Sequence, residues 1–141
     1  MANFKLNIAN PAEGKCYKTQ VKDAQGDVFM GKNIGESIDG ASIGLEGYEL
    51  EVTGGTDYCG FPMRRGILGV RKKLTIYKSL GFRGFVRGKK LPGAKRRKTV
   101  CGHKVNDKIS AINLKVKKEG GKKLAEVFPQ AEKKKDEKAK K

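Results

Sequence analysis

Gly54-Gly55-Thr56-Asp57-Tyr58-Cys59-Gly60-Phe61-Pro62-Met63-Arg64-Arg65-Gly66 divides the chain into two halves of opposite character. Just before it, Tyr48, Leu50 and Val52 alternate with Glu49, Glu51 and Thr53, the period-two pattern of a half-buried strand. Just after it the acids stop: residues 58–106 hold fifteen Lys and Arg and not one Asp or Glu. Residues 1–57 carry five basic and nine acidic side chains, and residues 107–141 carry twelve and six. The net charge of +17 is therefore segregated in one half of the polypeptide. Fifteen mutually repelling cations with no internal counter-charge are best tolerated when a partner supplies the anions, and the commonest such partner is a phosphate backbone. Within the stretch, Gly54, Gly55, Asp57, Gly60, Pro62 and Gly66 read as the residues that shape a loop. Asp57 has two structural roles open to it, accepting backbone N–H bonds in a turn or fixing a neighbouring arginine. General acid–base work would pair it with a second titratable group.

Upstream, Phe4, Leu6 and Ile8 alternate with Lys5 and Asn7 as a strand that Asn10-Pro11 stops, and residues 15–21 read as a second strand. Turn residues 23–27 and the apolar run Val28-Phe29-Met30 follow. Residues 31–47 are punctuated by glycine, with Ile34, Ile38, Ile43 and Leu45 left to plug a core. Downstream, four short strands are expected at residues 67–70, 74–77, 99–105 and 109–117. Between the second and third lies a stretch, residues 78–98, with nine cations and five Gly or Pro, read as a long basic loop. Residues 122–128 read as two turns of helix burying Leu124 and Phe128, ended by Pro129. Residues 130–141 are almost all charged and have nothing to bury.

These elements predict a mostly β protein: a small antiparallel β-barrel with long basic loops, one short C-terminal helix and a charged tail. One domain is expected over residues 1–129, with a solvated or disordered tail over 130–141. At 141 residues and 37% hydrophobic content there is enough for one modest core. Nineteen glycines and no tryptophan favour a turn-rich β architecture over a helix bundle. The first residues lack the basic-then-apolar pattern of a secretory signal and no apolar run approaches a membrane span, so a cytoplasmic location is expected. Cys16, Cys59 and Cys101, an odd number in that setting, are expected to be reduced thiols.

The cations expected to meet RNA phosphates are Arg64, Arg65, Arg71, Lys72, Lys73, Arg83, Arg87, Lys89, Lys90, Lys95, Arg96, Arg97 and Lys98. Phe61, Tyr77, Phe82 and Phe85 are interleaved with them, the pairing of cations for phosphates and ring faces for unstacked bases that RNA-binding surfaces use. Core packing is an equal claimant for Phe61 and Tyr77. Arg83-Gly84-Phe85-Val86 echoes the aromatic strand of RNA-recognition domains, but no helical segments flank it. A phosphate-binding loop is rejected, because Arg83 and Lys90 stand where that motif needs glycine and Ser or Thr. The cysteines and His103 lack paired metal-ligand spacing, so no metal is expected. Cys101 and His103 would share one side of a strand, yet nothing suggests an orienting third group, and no enzyme, cofactor or small-molecule substrate is expected.

Gly54-Gly55-Thr56-Asp57-Tyr58-Cys59-Gly60-Phe61-Pro62-Met63 resembles the G-G-x-D-x-x-G-F-P-M signature of the small-subunit ribosomal protein S six e family. Phe4-Lys5-Leu6-Asn7-Ile8, Gly47-Tyr48, Lys95-Arg96-Arg97-Lys98-Thr99-Val100 and Ile112-Asn113-Leu114 support it, and the similarity runs in order from about Phe4 to about Gly120. The resemblance implies a small β-barrel packed on small-subunit rRNA beside neighbouring ribosomal proteins, a structural role without catalysis. Eukaryotic members continue into a long basic helix with phosphorylated serines; here the last serine is Ser110, so the chain looks like the archaeal short form and that regulation does not carry over. The expected mechanism is positional: the β domain holds residues 54–66 and 78–98 against folded RNA. The alternative is a free-standing RNA-binding protein or RNA chaperone acting in translation.

Overall fold

The computed structural model describes residues 3–22, 24–86, 88–121 and 124–128. Among these, the regular structure is mostly strand: β1 (Phe4–Asn10), β2 (Lys15–Val21), β3 (Ser37–Asp39), β4 (Glu49–Asp57), β5 (Arg71–Ile76), β6 (Phe85–Val86), β7 (Lys89–Lys90), β8 (Arg96–Cys101) and β9 (Ile109–Lys118). In β1 the alternation places Phe4, Leu6, Ile8 and Asn10 inward. Asn10 then ends the strand by accepting the Ala12 N–H on its Oδ1 at 3.0 Å, and Pro11 has no N–H with which to extend the ladder. The chain returns antiparallel as β2, with Ile8 opposite Tyr17.

β9 lies at the middle of a five-stranded sheet of order β2-β1-β9-β4-β3. It pairs parallel with β1, Ile8 against Leu114, and antiparallel with β4, Val52 against Leu114. One face of the sheet is apolar and buried, carrying Leu6, Ile8, Leu50, Val52, Ile112 and Leu114. The other is wet: Asn7 donates to Asn113 at 2.9 Å and Lys117 reaches Glu51. This is the one-sided burial that alternating strands produce. Segments between the strands supply the covering layer with Phe29, Leu45 and Tyr48, Phe29 meeting Phe4 edge to face at 6.5 Å.

A closed antiparallel barrel is not what forms. The sheet is open and mixed, with β2 and β3 as edges that do not pair with each other among the described residues. Residues that would have to supply closing strands plug the apolar face with side chains from turns instead. β5 and β8 form a separate antiparallel ribbon, and β6 and β7 a small hairpin, so residues 78–98 are not a single long loop. The strand expected at residues 67–70 does not form; the Ile67 carbonyl is taken by the His103 N–H at 2.9 Å. Nor is there one core, since Ile76, Phe82 and Val100 make a satellite cluster beneath the ribbon. At the C-terminal side a single helical turn, Leu124–Val127, buries Leu124, and the Phe128 ring lies 6.4 Å from that of Tyr17. Pro129 and the tail over 130–141 lie outside the described residues.

Candidate nucleic-acid interface

The stretch that opens the basic half is a splice more than a loop. Gly54, Gly55 and Asp57 lie within β4. Gly60 N–H donates to the Asp57 carbonyl at 2.8 Å and Asp57 N–H to the Phe61 carbonyl at 2.9 Å, the bond pattern of a three-residue hairpin loop. Gly60 closes that loop at φ 82°, in the left-handed region where a side chain is strained. The returning chain then runs back along β4, Met63 N–H bonding the Gly55 carbonyl at 2.9 Å. That approach requires Gly55, because a Cβ there would sit 2.6 Å from the Ala111 carbonyl oxygen and 2.8 Å from the Met63 sulfur. On its other side the same segment bonds β8: Cys101 N–H donates to the Pro62 carbonyl at 2.9 Å and Arg64 N–H to the Cys101 carbonyl at 3.2 Å. Residues 62–64 thus tie the ribbon to the main sheet. Of the residues read as loop-shaping, Gly60 and Gly66 take positive φ, while Gly54, Gly55 and Asp57 belong to the strand.

Asp57 reinforces the splice. Its carboxylate is fully buried and forms an ion pair with the Arg71 guanidinium at the start of β5, and the Cys101 thiol donates to it at 3.4 Å. Arg71 and Cys101 are cross-strand partners, so one carboxylate holds the base of both ribbon strands. Burial works to raise the Asp57 pKa, but hydrogen bonds from Arg71, Cys101 and the Tyr58 backbone hold it below the ordinary carboxylate value. Burial pushes the Cys101 thiol up to about 11, helped by its hydrogen bond to Asp57. Arg71 also lies over the rings of Tyr58 and Phe61, 4.7 and 5.3 Å from their centroids. Asp57 plays both of the roles open to it, fixing Arg71 and accepting the Tyr58 backbone N–H. The sequence carried a signal for this pairing, since Asp57 is the last acid before the cationic run and Arg71 the first basic residue of the next strand.

The remaining cations sit outward. In the ribbon register Lys72 faces Val100, Lys73 faces Thr99, Leu74 faces Lys98, Thr75 faces Arg97 and Ile76 faces Arg96. Directly opposed residues share a face, so Lys73 and Arg97 project from one side and Lys72, Arg96 and Lys98 from the other. Lys89 and Lys90 are exposed on β7, Arg65 on a turn, and Arg83 and Lys95 in irregular segments, whereas Arg64 is half-buried. Arg87 lies outside the described residues. Among the described residues Arg71 is the only one of these cations in an ion pair with a carboxylate. The four aromatic candidates divide: Phe82 is buried in the satellite cluster and Phe61 is half-buried under Arg71, while Tyr77 and Phe85 are more than half exposed. Tyr58 and Leu68, exposed by 65% and 79%, are surface features of this lobe that the sequence reading did not single out. Cys101 and His103 do not face each other as a pair; His103 Nδ1 bonds the Ile67 carbonyl at 2.7 Å, and Cys101 is committed to Asp57.

The molecule is therefore a mostly β protein in which a cationic lobe, nearly free of carboxylates, is bonded onto an apolar-faced sheet. The family model described as ribosomal protein S6e matches residues 4–129. The small ribosomal subunit protein eS6 of Methanoculleus marisnigri is 38% identical over 133 residues, covering 94% of this chain and 97% of that protein. That of Methanocaldococcus jannaschii is 41% identical over 129 residues, covering 91% and 92%, and that of Haloarcula marismortui is 34% identical, covering 91% and 96%. The chain belongs to the ribosomal protein S6e family.

Proposed function

We propose that the chain is a structural constituent of the small ribosomal subunit and that it holds ribosomal RNA through the β5–β8 ribbon and the β6–β7 hairpin. The names of its relatives support the first half of this reading. The observation that carries the second is the separation of charge in space: the exposed cations of the lobe have no carboxylate partners among the described residues, and the one acid that reaches the lobe, Asp57, is consumed by Arg71. Lys72, Lys73, Arg83, Lys89, Lys90, Lys95, Arg96, Arg97 and Lys98 neutralise phosphates and release their counterions. Arg65, with Arg64, extends that surface, and Arg87 is assigned to it from the sequence alone. Arg71 is withdrawn from the phosphate contacts and acts as the anchor that sets the ribbon's angle. Neighbouring ribosomal proteins cover part of the remaining surface, and the chain works on the ribosome in the cytoplasm. The reading assigns it no catalysis. Among the described residues no helix is long and apolar enough to cross a membrane.

The test is crosslinking in cells, followed by identification of the attached RNA and sedimentation of the lysate at ordinary ionic strength. Small-subunit rRNA attached to residues of the ribbon, in particles of small-subunit size, is the expected result. Recovery in free cytosol with no bound rRNA overturns the reading.

A further inference from the structure

The hairpin β6–β7 does more than present lysines. The Leu91 N–H bonds the Gly84 carbonyl at 3.2 Å, prolonging the hairpin, and Ala94 N–H returns to the Leu91 carbonyl at 3.4 Å. Leu91-Pro92-Gly93-Ala94 is thus a β-turn with proline at its second position and Gly93 at φ 73° at its third, the arrangement of a type II turn. Between this turn and Tyr77 the fold leaves a cleft of about 280 Å³. Its walls are apolar and include Leu91, Pro92, Ala94 and the Tyr77 ring. Lys78, Arg83 and Lys90 stand at its border, and the Lys95 ammonium lies 5.2 Å from the Tyr77 ring centroid. Tyr77 and Leu91, exposed by 55% and 48%, are not needed to fill either core.

An apolar slot of this size, next to the lower end of the roughly 300–1,000 Å³ range of ligand clefts, suits one flat ring system. A cationic border and the absence of any acid in residues 58–106 select for an occupant that carries negative charge on both sides of that ring. We propose that the cleft receives a single unpaired nucleobase, extruded from a bulge or loop of the bound RNA, with Lys78, Arg83 and Lys90 on the flanking phosphates. This rests on the RNA-binding reading above and adds to it a preference for unstacked nucleotides. Recognition by stacking does not distinguish one base strongly from another, because every base presents a π-face, so the site selects for an available base more than for its identity. A protein side chain from a neighbouring subunit is the competing occupant, and the cationic border argues against an apolar one.

The experiment uses the full chain and two RNA hairpins of the same stem, each closed by a non-nucleotide linker so that the loop offers no base, one carrying a single-nucleotide bulge with 2-aminopurine at the bulged position. The bulged hairpin is expected to bind about ten-fold more tightly, a loss or gain typical of one base–aromatic stack, with a change in 2-aminopurine emission on binding. Leu91→Gln combined with Tyr77→Ala, neither of which alters charge, should abolish that preference while leaving the affinity for the plain hairpin unchanged. Tyr77→Phe should keep the preference, and thermal unfolding of each variant confirms that the lobe is folded. Equal binding of the two hairpins by the unmodified chain overturns the proposal and leaves the RNA-binding reading standing. So does a preference that survives the double substitution. Binding to neither hairpin overturns both. Equal binding together with crosslinks from Tyr77 to a ribosomal protein in assembled particles assigns the cleft to that protein.

Discussion

The two regions of this molecule treat charge in opposite ways. On the wet face of the main sheet, cations are answered inside the chain: Lys118 bonds Glu49 at 2.8 Å and Lys117 lies 3.9 Å from Glu51, and in the segment leading into β3 Lys32 lies 3.9 Å from Glu36. On the ribbon and hairpin they are left open, and the single carboxylate that reaches them is buried at the root. The difference teaches that the sheet's charges are balanced within the chain, whereas the lobe's are not, which is what the proposed binding of a polyanion would use. The apolar side chains follow the same division. Tyr58, Leu68, Val70, Tyr77, Leu80, Phe85 and Leu91, most of the large exposed apolar residues, all lie in the acid-free half.

That contrast can be broken most severely in the sheet. Leu114→Ala removes a fully buried side chain from the central strand and should cost about 2–5 kcal/mol in a urea unfolding curve. Leu80→Ala, at an exposed turn of the lobe, should leave the same curve within experimental error. Arg71→Ala comes next. It strands the buried Asp57 carboxylate and should destabilise the chain more than Asp57→Asn, which keeps a hydrogen-bonding partner for the half-exposed guanidinium. The reverse order would mean that the ribbon is not held by this pair.

The lobe is tested by RNA affinity. If about half of the basic half's cations reach phosphate, log K should fall with log salt at a slope of order −5. Arg96→Glu with Arg97→Glu should flatten that slope by about 1.5 and weaken binding by about ten-fold or more, with no loss of stability. An unchanged slope would remove the β8 edge from the interface. A smaller effect concerns pH. Because the Cys101 thiol is raised from an ordinary value of 9.0 to about 11, the unfolded chain ionises it first. Its contribution is intact below pH 9 and is lost as pH rises toward about 11, so Cys101→Val should show a shallower alkaline decline than the parent. Asp57, lowered, behaves in the opposite sense: its contribution is present above the ordinary carboxylate value and is lost as the solution is acidified below it. The smallest change is expected from Lys118→Ala on the exposed face, which should be undetectable in the unfolding curve.

Much of this was legible in the chain. The strands at β1, β2, β4 and β9 follow from strict alternation of apolar and polar side chains, a local property that survives folding because each face meets one environment. The charge segregation is likewise a property of order along the chain. The satellite core was not legible, because Ile76, Phe82 and Val100 come from three separate segments and none shows a period by itself. Closure into a barrel was not legible for a related reason: strand count does not reveal which edges pair, and the parallel junction of β1 with β9 joins strands about a hundred residues apart.

Sequence alone determined that this protein is mostly β, that its cations are concentrated between residues 58 and 106, and that residues 54–66 mark the boundary between its halves. Only the tertiary structure decided that Arg71 and Cys101 are both spent on Asp57, that the sheet stays open, and that the Pro92-Gly93 turn meets Tyr77 around a cleft. Alternation and charge are written residue by residue and need no partner to be read. A buried ion pair or a cleft exists only where distant segments are brought within a few ångströms, and that proximity is set by packing rather than by order in the chain.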